Sequence, residues 1–268
     1  MIEKTEIKKV TYQTGFALSG GFIKGFAHLG VIQALKEKGI TPDVISGVSA
    51  GALAGVFIAD GQEPHDVVRL FVDNKSNSLT SWARRTSGLY KLDMFIDFIR
   101  KNLRAKKMED LQIPLIVTAT DLDHGKSTHF QQGDIAERVA ASCCMPIMFA
   151  PVEINQVNYV DGGVFNNLPV SVIRDCCENI AAINVSPLVA DEYKKNFISI
   201  AKRSYDFMFQ ANTIRDREIA DLLIEPYNLA GYSNREIGKA EEIFEQGFKT
   251  GTEVLNKLME EKGTIWGK

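Results

Sequence analysis

Residues 44–59 read Val44-Ile45-Ser46-Gly47-Val48-Ser49-Ala50-Gly51-Ala52-Leu53-Ala54-Gly55-Val56-Phe57-Ile58-Ala59. The stretch opens as a short β-branched strand, passes through Gly47-Val48-Ser49-Ala50-Gly51, and continues as a helix of small and apolar residues over 50–59. A G-x-S-x-G run between strand and helix makes a tight, strained turn. It lifts the serine hydroxyl above the sheet, at the helix end whose dipole favours negative charge. Ala50, Ala52, Ala54 and Gly55 let that helix pack closely on the sheet.

Toward the N-terminus the same grammar repeats. A strand over 14–18 runs into Ser19-Gly20-Gly21-Phe22-Ile23-Lys24-Gly25, and a helix follows with Phe26, Leu29, Val31, Ile32 and Leu35 on its apolar face. Gly39 falls where a helix end takes a residue with φ > 0. Backbone N–H groups of glycines at a helix start form an anion-binding nest, suited to a phosphate or to the oxyanion of acyl transfer. Both nucleotide patterns fail here. A dinucleotide fingerprint from Gly20 needs glycine where Phe22 stands, and a P-loop needs Gly-Lys-Ser/Thr where Lys24-Gly25-Phe26 stands.

Toward the C-terminus, helices are expected over 66–72 and 92–103, a buried strand over 113–120 with a hairpin partner over 126–130, and a short helix over 135–141. Strands at 157–160, 181–185 and 222–224 follow, with long amphipathic helices over 192–218 and 235–261. Alternating strands and helices predict an α/β fold: a central, mostly parallel sheet with helices on both faces. We read 1–268 as one domain, with the motifs over about 14–187 and a helical part over about 190–268.

Composition excludes several classes. The 268 residues are 45% hydrophobic and 24% charged, with 31 Lys+Arg against 34 Asp+Glu for a net charge of −3. That balance offers nucleic acid no basic face. No run of 18 apolar residues exists, so no transmembrane helix is expected. The polar start, Met1-Ile2-Glu3-Lys4-Thr5-Glu6-Ile7-Lys8-Lys9, lacks a secretory apolar block, so a cytoplasmic protein is the expectation. Cys143-Cys144 and Cys176-Cys177 are adjacent pairs without zinc-site spacing, expected as buried reduced thiols. No metal-ligating cluster or cofactor motif stands out.

A serine nucleophile needs a base. His28, His65, His124 and His129 are the only histidines. They lie in a helix, a polar turn, an Asp121–Gly125 turn and a short strand, so a Ser–His pair is not expected. Asp161-Gly162-Gly163, closing the strand 157–160, is the remaining candidate, with an ordinary β-turn as the competing reading.

Together these segments resemble the patatin-like phospholipase family. There an oxyanion loop G-G-G-x-[R/K]-G follows the first strand, then G-x-S-x-G, then D-G-[G/A]. Further matches are Phe26-Ala27-His28-Leu29-Gly30, the A-S-x-x-x-P-x-x-F-x-P segment Ala141–Pro151, and Asn166-Asn167-Leu168-Pro169. The resemblance covers about 14–187 and implies a three-layer fold. It also implies a Ser49–Asp161 dyad, an oxyanion hole at Gly20, Gly21 and Phe22, supporting roles for Lys24, Gly25, Gly47, Gly51, Gly162 and Gly163, no calcium requirement, and hydrolysis of lipid acyl esters. Phe22 departs from the family's third glycine, and its Cβ opposes the φ > 0 region. Lys24 keeps the charge of the commoner arginine but loses its fork.

Three readings of function remain at this point: a phospholipid or lysophospholipid acyl hydrolase, a thioesterase or short-chain esterase with the same residues, and a non-catalytic lipid- or protein-binding module. Leu79-Thr80-Ser81-Trp82-Ala83-Arg84-Arg85 suits either a membrane interface or a solvated loop. Phe197, Ala201, Tyr205, Met208 and Phe209 form a helical stripe expected to be core. Oligomeric state has no sequence signal.

Overall fold

A computed structural model describes residues 12–73, 84–86, 89–187, 193, 195–229, 232 and 237–266. The chain order begins β1 (Tyr12–Leu18), α1 (Phe26–Glu37), β2 (Val44–Val48), α2 (Ala50–Ala59) and α3 (Pro64–Asp73). It continues with a separate hairpin, β3 (Arg84–Thr86) and β4 (Leu89–Lys91), then α4 (Asp93–Asn102), β5 (Leu115–Asp121), β6 (Lys126–Phe130) and α5 (Ile135–Cys143). The rest is β7 (Val152–Ile154), β8 (Val157–Asp161), β9 (Cys177–Ile183), α6 (Phe197–Ala211), α7 (Ile214–Glu218), β10 (Leu222–Ile224) and α8 (Ala240–Lys262).

Eight strands form one sheet in the order β10-β9-β1-β2-β5-β8-β7, with β6 on β5. The four pairings that join β10, β9, β1, β2 and β5 are parallel, and those of β6, β8 and β7 are antiparallel. The expected mostly parallel α/β sheet is therefore the one observed, with an antiparallel extension.

Period-two alternation splits the core cleanly. Phe16, Leu18, Ile45, Leu115, Val117, Ala181 and Ile183 face one layer, which α1, α2, α5 and α8 help to cover. Ala17, Val44, Ile116, Ile180 and Ala182 face the other, under Leu168, Val170 and Ile173 and, beyond α7, Ile219. Helix α1 is buried almost all round because α8 covers its outer side. Gly30 and Gly247 make that approach possible: a Cβ at Gly30 would lie 2.0 Å from Phe244 O, and one at Gly247 2.2 Å from Ala27 O. Gly39 takes φ +75 just beyond α1, as its position predicts.

Three of the departures from the boundaries read in the sequence have a clear place in the structure. The helix expected over 192–218 is cut into α6 and α7, because Asn212 turns its amide onto Gly163 O (2.8 Å) and accepts Asn167 N–H (2.8 Å), while Thr213 N–H folds back to Gln210 O. The strand expected from 181 starts at Cys177, carried by pairing with β1 through the polar Glu178 and Asn179. The last helix begins at Ala240, after a 3₁₀ turn at Ile237–Lys239. Residues 79–83 of the Trp82 segment lie outside the described residues.

Candidate active site

Strand register explains how residues 112 apart meet. Strand β5 pairs with β6 along one edge from Val117 to Asp121. Its other edge is shared: β2 runs up it to Val48 opposite Thr118, and β8 runs down it to Asp161 opposite Ala119. The two strands thus meet head to head, and the residues at their tips are Ser49 and Asp161. Ser49 Oγ donates to Asp161 Oδ2 at 2.7 Å.

The turn that presents Ser49 is strained as its motif predicts. Ser49 has φ 52 and ψ −121, a region that costs a non-glycine residue roughly 1–3 kcal/mol. Gly51 lets the turn close: a Cβ there would sit 2.2 Å from Leu18 O. A Cβ at Gly47 would sit 2.8 Å from Ala52, and one at Gly162 2.2 Å from Thr118 O and 2.8 Å from Val48. The strain is held by hydrogen bonds that the sequence does not advertise. Ser49 N–H donates to Ser142 Oγ (2.7 Å), whose own hydroxyl donates to Thr118 O (2.6 Å). Cys143 Sγ reaches Ser49 O at 3.3 Å, and Asp161 N–H donates to Cys144 O at 2.8 Å. The Ala141–Pro151 segment therefore braces both members of the pair. Its thiols are free, and burial pushes Cys144 up to about 12 and Cys143 well above its ordinary value, with the Asp161 charge adding to both.

Asp161 is buried, at 3% exposure. Burial raises its carboxyl from 3.8 to about 6, while hydrogen bonds from Ser49 and from Gly163 N–H (2.8 Å) pull the other way. A carboxylate with this value accepts a proton more readily than a free aspartate and is still mostly ionised at neutral pH.

The glycine-rich turn lies beside the pair: a Cβ at Gly20 would be 3.4 Å from Ser49 Cβ and 2.3 Å from Asn167 Oδ1. Gly20 N–H donates to Asn167 O at 3.2 Å, so its amide is already used, whereas the Gly21 and Phe22 amides have no hydrogen-bond partner among the described residues. Phe22 does adopt the glycine-like conformation, at φ 53, and carries its strain. Gly21 is wedged against Val185 and Ser186, and Gly25 against Ala50, so the loop is fixed between β9's end and α2. Lys24 is half-buried in the 3₁₀ turn Phe22–Gly25.

All four histidines are engaged elsewhere. His28 is fully buried and bonds Ser19 O through Nε2 at 2.8 Å, so that nitrogen carries the proton. Burial lowers it to about 4 and keeps it neutral, bracing the glycine turn. His129 meets Thr118 Oγ1 at 3.1 Å, His124 meets Asp121 at 2.9 Å, and His65 packs edge-on against Phe244. Asn167 was quoted in the sequence only as part of a run, yet it links the two loops. Its O accepts from Gly20, its N–H donates to Asn212, and its buried Oδ1 has no hydrogen-bond partner among the described residues.

The α/β sheet thus brings a strand-to-helix serine onto a buried carboxylate, beside a glycine-rich helix start. The chain belongs to the patatin-like phospholipase family, whose model matches residues 16–173. An uncharacterized NTE family protein of Mycobacterium bovis is 32% identical over 172 residues, covering 60% of this chain and 45% of that protein. Lysophospholipase NTE1 of Saccharomyces cerevisiae is 26% identical, covering 92% of this chain and 17% of that protein. The chain thus spans less than half the length of these relatives. Among solved structures, VipD of Legionella pneumophila shares the fold with a TM-score of 0.53 at 15% identity, over 92% of this chain and 67% of that one.

Proposed function

We propose that this chain is a serine hydrolase of lipid carboxylic esters, phospholipids or lysophospholipids, that works through a Ser49–Asp161 dyad. The observation that carries the proposal is the 2.7 Å hydrogen bond from Ser49 Oγ to a buried carboxylate raised to about 6. Asp161 takes the Ser49 proton as Oγ attacks the ester carbonyl. The Gly21 and Phe22 amides hold the oxyanion, and the departing alcohol leaves with the proton from Asp161. Water then attacks the acyl-serine, giving its proton to Asp161, and Ser49 recovers it as the fatty acid leaves. Membership of a phospholipase family and relatives named lysophospholipases support the lipid substrate over a soluble thioester. A fluorophosphonate probe is expected to label one peptide, the one containing Ser49. An unlabelled but folded protein would instead favour the binding-module reading.

We further place the reaction at a membrane surface. Two members of the stripe expected to be core are not: Phe197 is 86% and Met208 62% exposed, with Ile200 beside them on α6, whereas Phe209 is half-buried. The side chains of Ala201 and Tyr205 lie outside the described residues. Arg203 sits over the Tyr193 and Phe207 rings, and Lys195 lies exposed at the helix start. The other side of α6 is anchored to the site, with Phe209 packed on Gly163 and Gln210 bonded to Ser186 O. Apolar, aromatic and cationic groups mixed on one helix suit an anionic interface. No helix among the described residues is long and apolar enough to cross a membrane. Phe197→Glu with Met208→Glu is expected to weaken binding to anionic phospholipid vesicles by roughly tenfold or more, the worth of burying one large apolar side chain. Hydrolysis of a soluble monomeric ester should fall far less. Equal losses on both would remove the membrane face from the proposal.

A further inference from the structure

Helix α6 ends at Asn212, whose side-chain hydrogen bonds among the described residues all leave that helix. Its Oδ1 accepts the Asn167 N–H (2.8 Å), and its Nδ2 donates to Gly163 O (2.8 Å) and Val164 O (3.3 Å). An asparagine at a helix end ordinarily bonds backbone close to it in sequence, whereas this one reaches 45 to 49 residues back. Gly163 N–H in turn donates to Asp161 Oδ1 at 2.8 Å, and Gly20 N–H donates to Asn167 O at 3.2 Å. Hydrogen bonds thus run from the Asp161 carboxylate through Gly163, Asn212 and Asn167 to the glycine turn. We propose that Asn212 is a positioning residue that holds the Gly163 amide on Asp161 and fixes the base loop against the Gly20–Phe22 turn.

The proposal rests on the hydrolase reading, because a base loop has a meaning only where Asp161 takes a proton. Packing points the same way as the hydrogen bonds. Asn167 is 2% exposed, and its Oδ1, without a hydrogen-bond partner among the described residues, is lodged between the two loops. A Cβ at Gly20 would lie 2.3 Å from that oxygen, and one at Gly163 2.6 Å. Only glycine fits at either place while the carboxamide stays there, so Asn167 spaces the loops that Asn212 ties. A Cβ at Gly163 would also meet the Phe209 ring at 2.4 Å, so α6 holds this loop by packing as well. Asn212 itself is half-buried, and losing its amide leaves the backbone hydrogen bonds of α6 in place. What is lost is the restraint on Gly163, whose N–H favours the ionised form of Asp161. The other titratable groups facing that carboxylate are Ser49 from the elbow and the neutral Cys143 and Cys144 thiols from the end of α5. Strand β5 adds the Thr120 hydroxyl, which donates to Asp161 O. Against burial, the Ser49 hydroxyl and the Gly163 N–H are what favour the charge.

The test is the pH profile of p-nitrophenyl butyrate hydrolysis for wild type, Asn212→Ala and Asn212→Gln, with thermal melting of each. Asn212→Ala should lose about 10- to 100-fold in kcat/KM, the scale of a displaced catalytic group. Its rate limb should move up from about 6 by about one unit, because Asp161 loses part of a hydrogen bond that favours its charge. The loss should therefore be larger at pH 6 than at pH 8. Asn212→Gln keeps donor and acceptor on a longer arm and should fall between the two. Vesicles of lysophospholipid should show the same loss as the soluble ester, unlike the Phe197→Glu, Met208→Glu variant. A folded Asn212→Ala with the wild-type rate and limb would overturn the role. So would a lower rate with the limb fixed near 6, which a merely loosened fold would give. If Asn212→Ala melts below the assay temperature, the limb of Asn212→Gln decides by the same criterion. A wild type inert toward both esters would overturn the hydrolase reading, and the role of Asn212 with it.

Discussion

Ser49→Ala is expected to lower kcat/KM toward a lysophospholipid by about 10⁵-fold and to abolish fluorophosphonate labelling. The size follows from the loss of a covalent route: without a nucleophile, the oxyanion amides and substrate binding retain only the residual acceleration that serine hydrolases keep after such a change. The variant should still fold. Alanine fits the space, the Ser142 hydroxyl still accepts the residue 49 N–H, and the Gly163 amide still serves one oxygen of Asp161. The φ of 52 remains a cost for alanine, so Ser49→Gly should be the more stable of the two by about 1 kcal/mol while equally inactive. Thermal melting and labelling, run side by side, separate loss of chemistry from loss of fold. A Ser49→Ala protein that keeps a hundredth of the wild-type rate would place the nucleophile elsewhere.

Much of this site was legible because its parts are local. A strand, a glycine-bounded turn and a helix start can each be read within ten residues, and so Ser49, the Ser19–Gly25 loop and Asp161 could be picked out. What joins them is not local. Nothing in the period-two pattern of Val157–Val160 says that this strand lies antiparallel on the edge of β5 that β2 vacates, and that pairing is what brings Asp161 to Ser49. Ser142 and Asn167 escaped for the same reason. A hydroxyl or amide in a helix or loop gains its role from a partner about a hundred residues away. The α6 stripe misled in the opposite direction. Helical spacing of Phe197 and Met208 establishes that they share a face, but not that anything covers it. The break at Asn212 was hidden because the reason for it, the carbonyl of Gly163, belongs to another segment.

Asp161→Asn is expected to cost about 10³- to 10⁴-fold in kcat/KM, the range of a positioned general base. Asparagine can keep the structural half of the job by accepting the Gly163 N–H. Turned toward Ser49, however, its amide nitrogen is a donor, and the serine proton then has nowhere to go. The wild-type rate should rise with pH through about 6, because only the ionised carboxylate can take that proton, and then level off. Stability should run the other way. The folded carboxyl is raised above its unfolded value of about 3.9, so between pH 4 and 6 the native state holds a proton that the unfolded chain has released, and stability falls across that window. A shift of about two units corresponds to at most ~3 kcal/mol. Urea denaturation at pH 4, 6 and 8 should show this fall in wild type and a flatter profile in Asp161→Asn, leaving the inactive variant as stable as wild type or more so at pH 8. On the proposed mechanism, the chain keeps a carboxylate where the fold would prefer a neutral group, because burial is what would make Asp161 a usable base without histidine. A rate limb that stays at its wild-type pH in Asp161→Asn, and disappears in His129→Gln, would show that the proton goes to the imidazole instead.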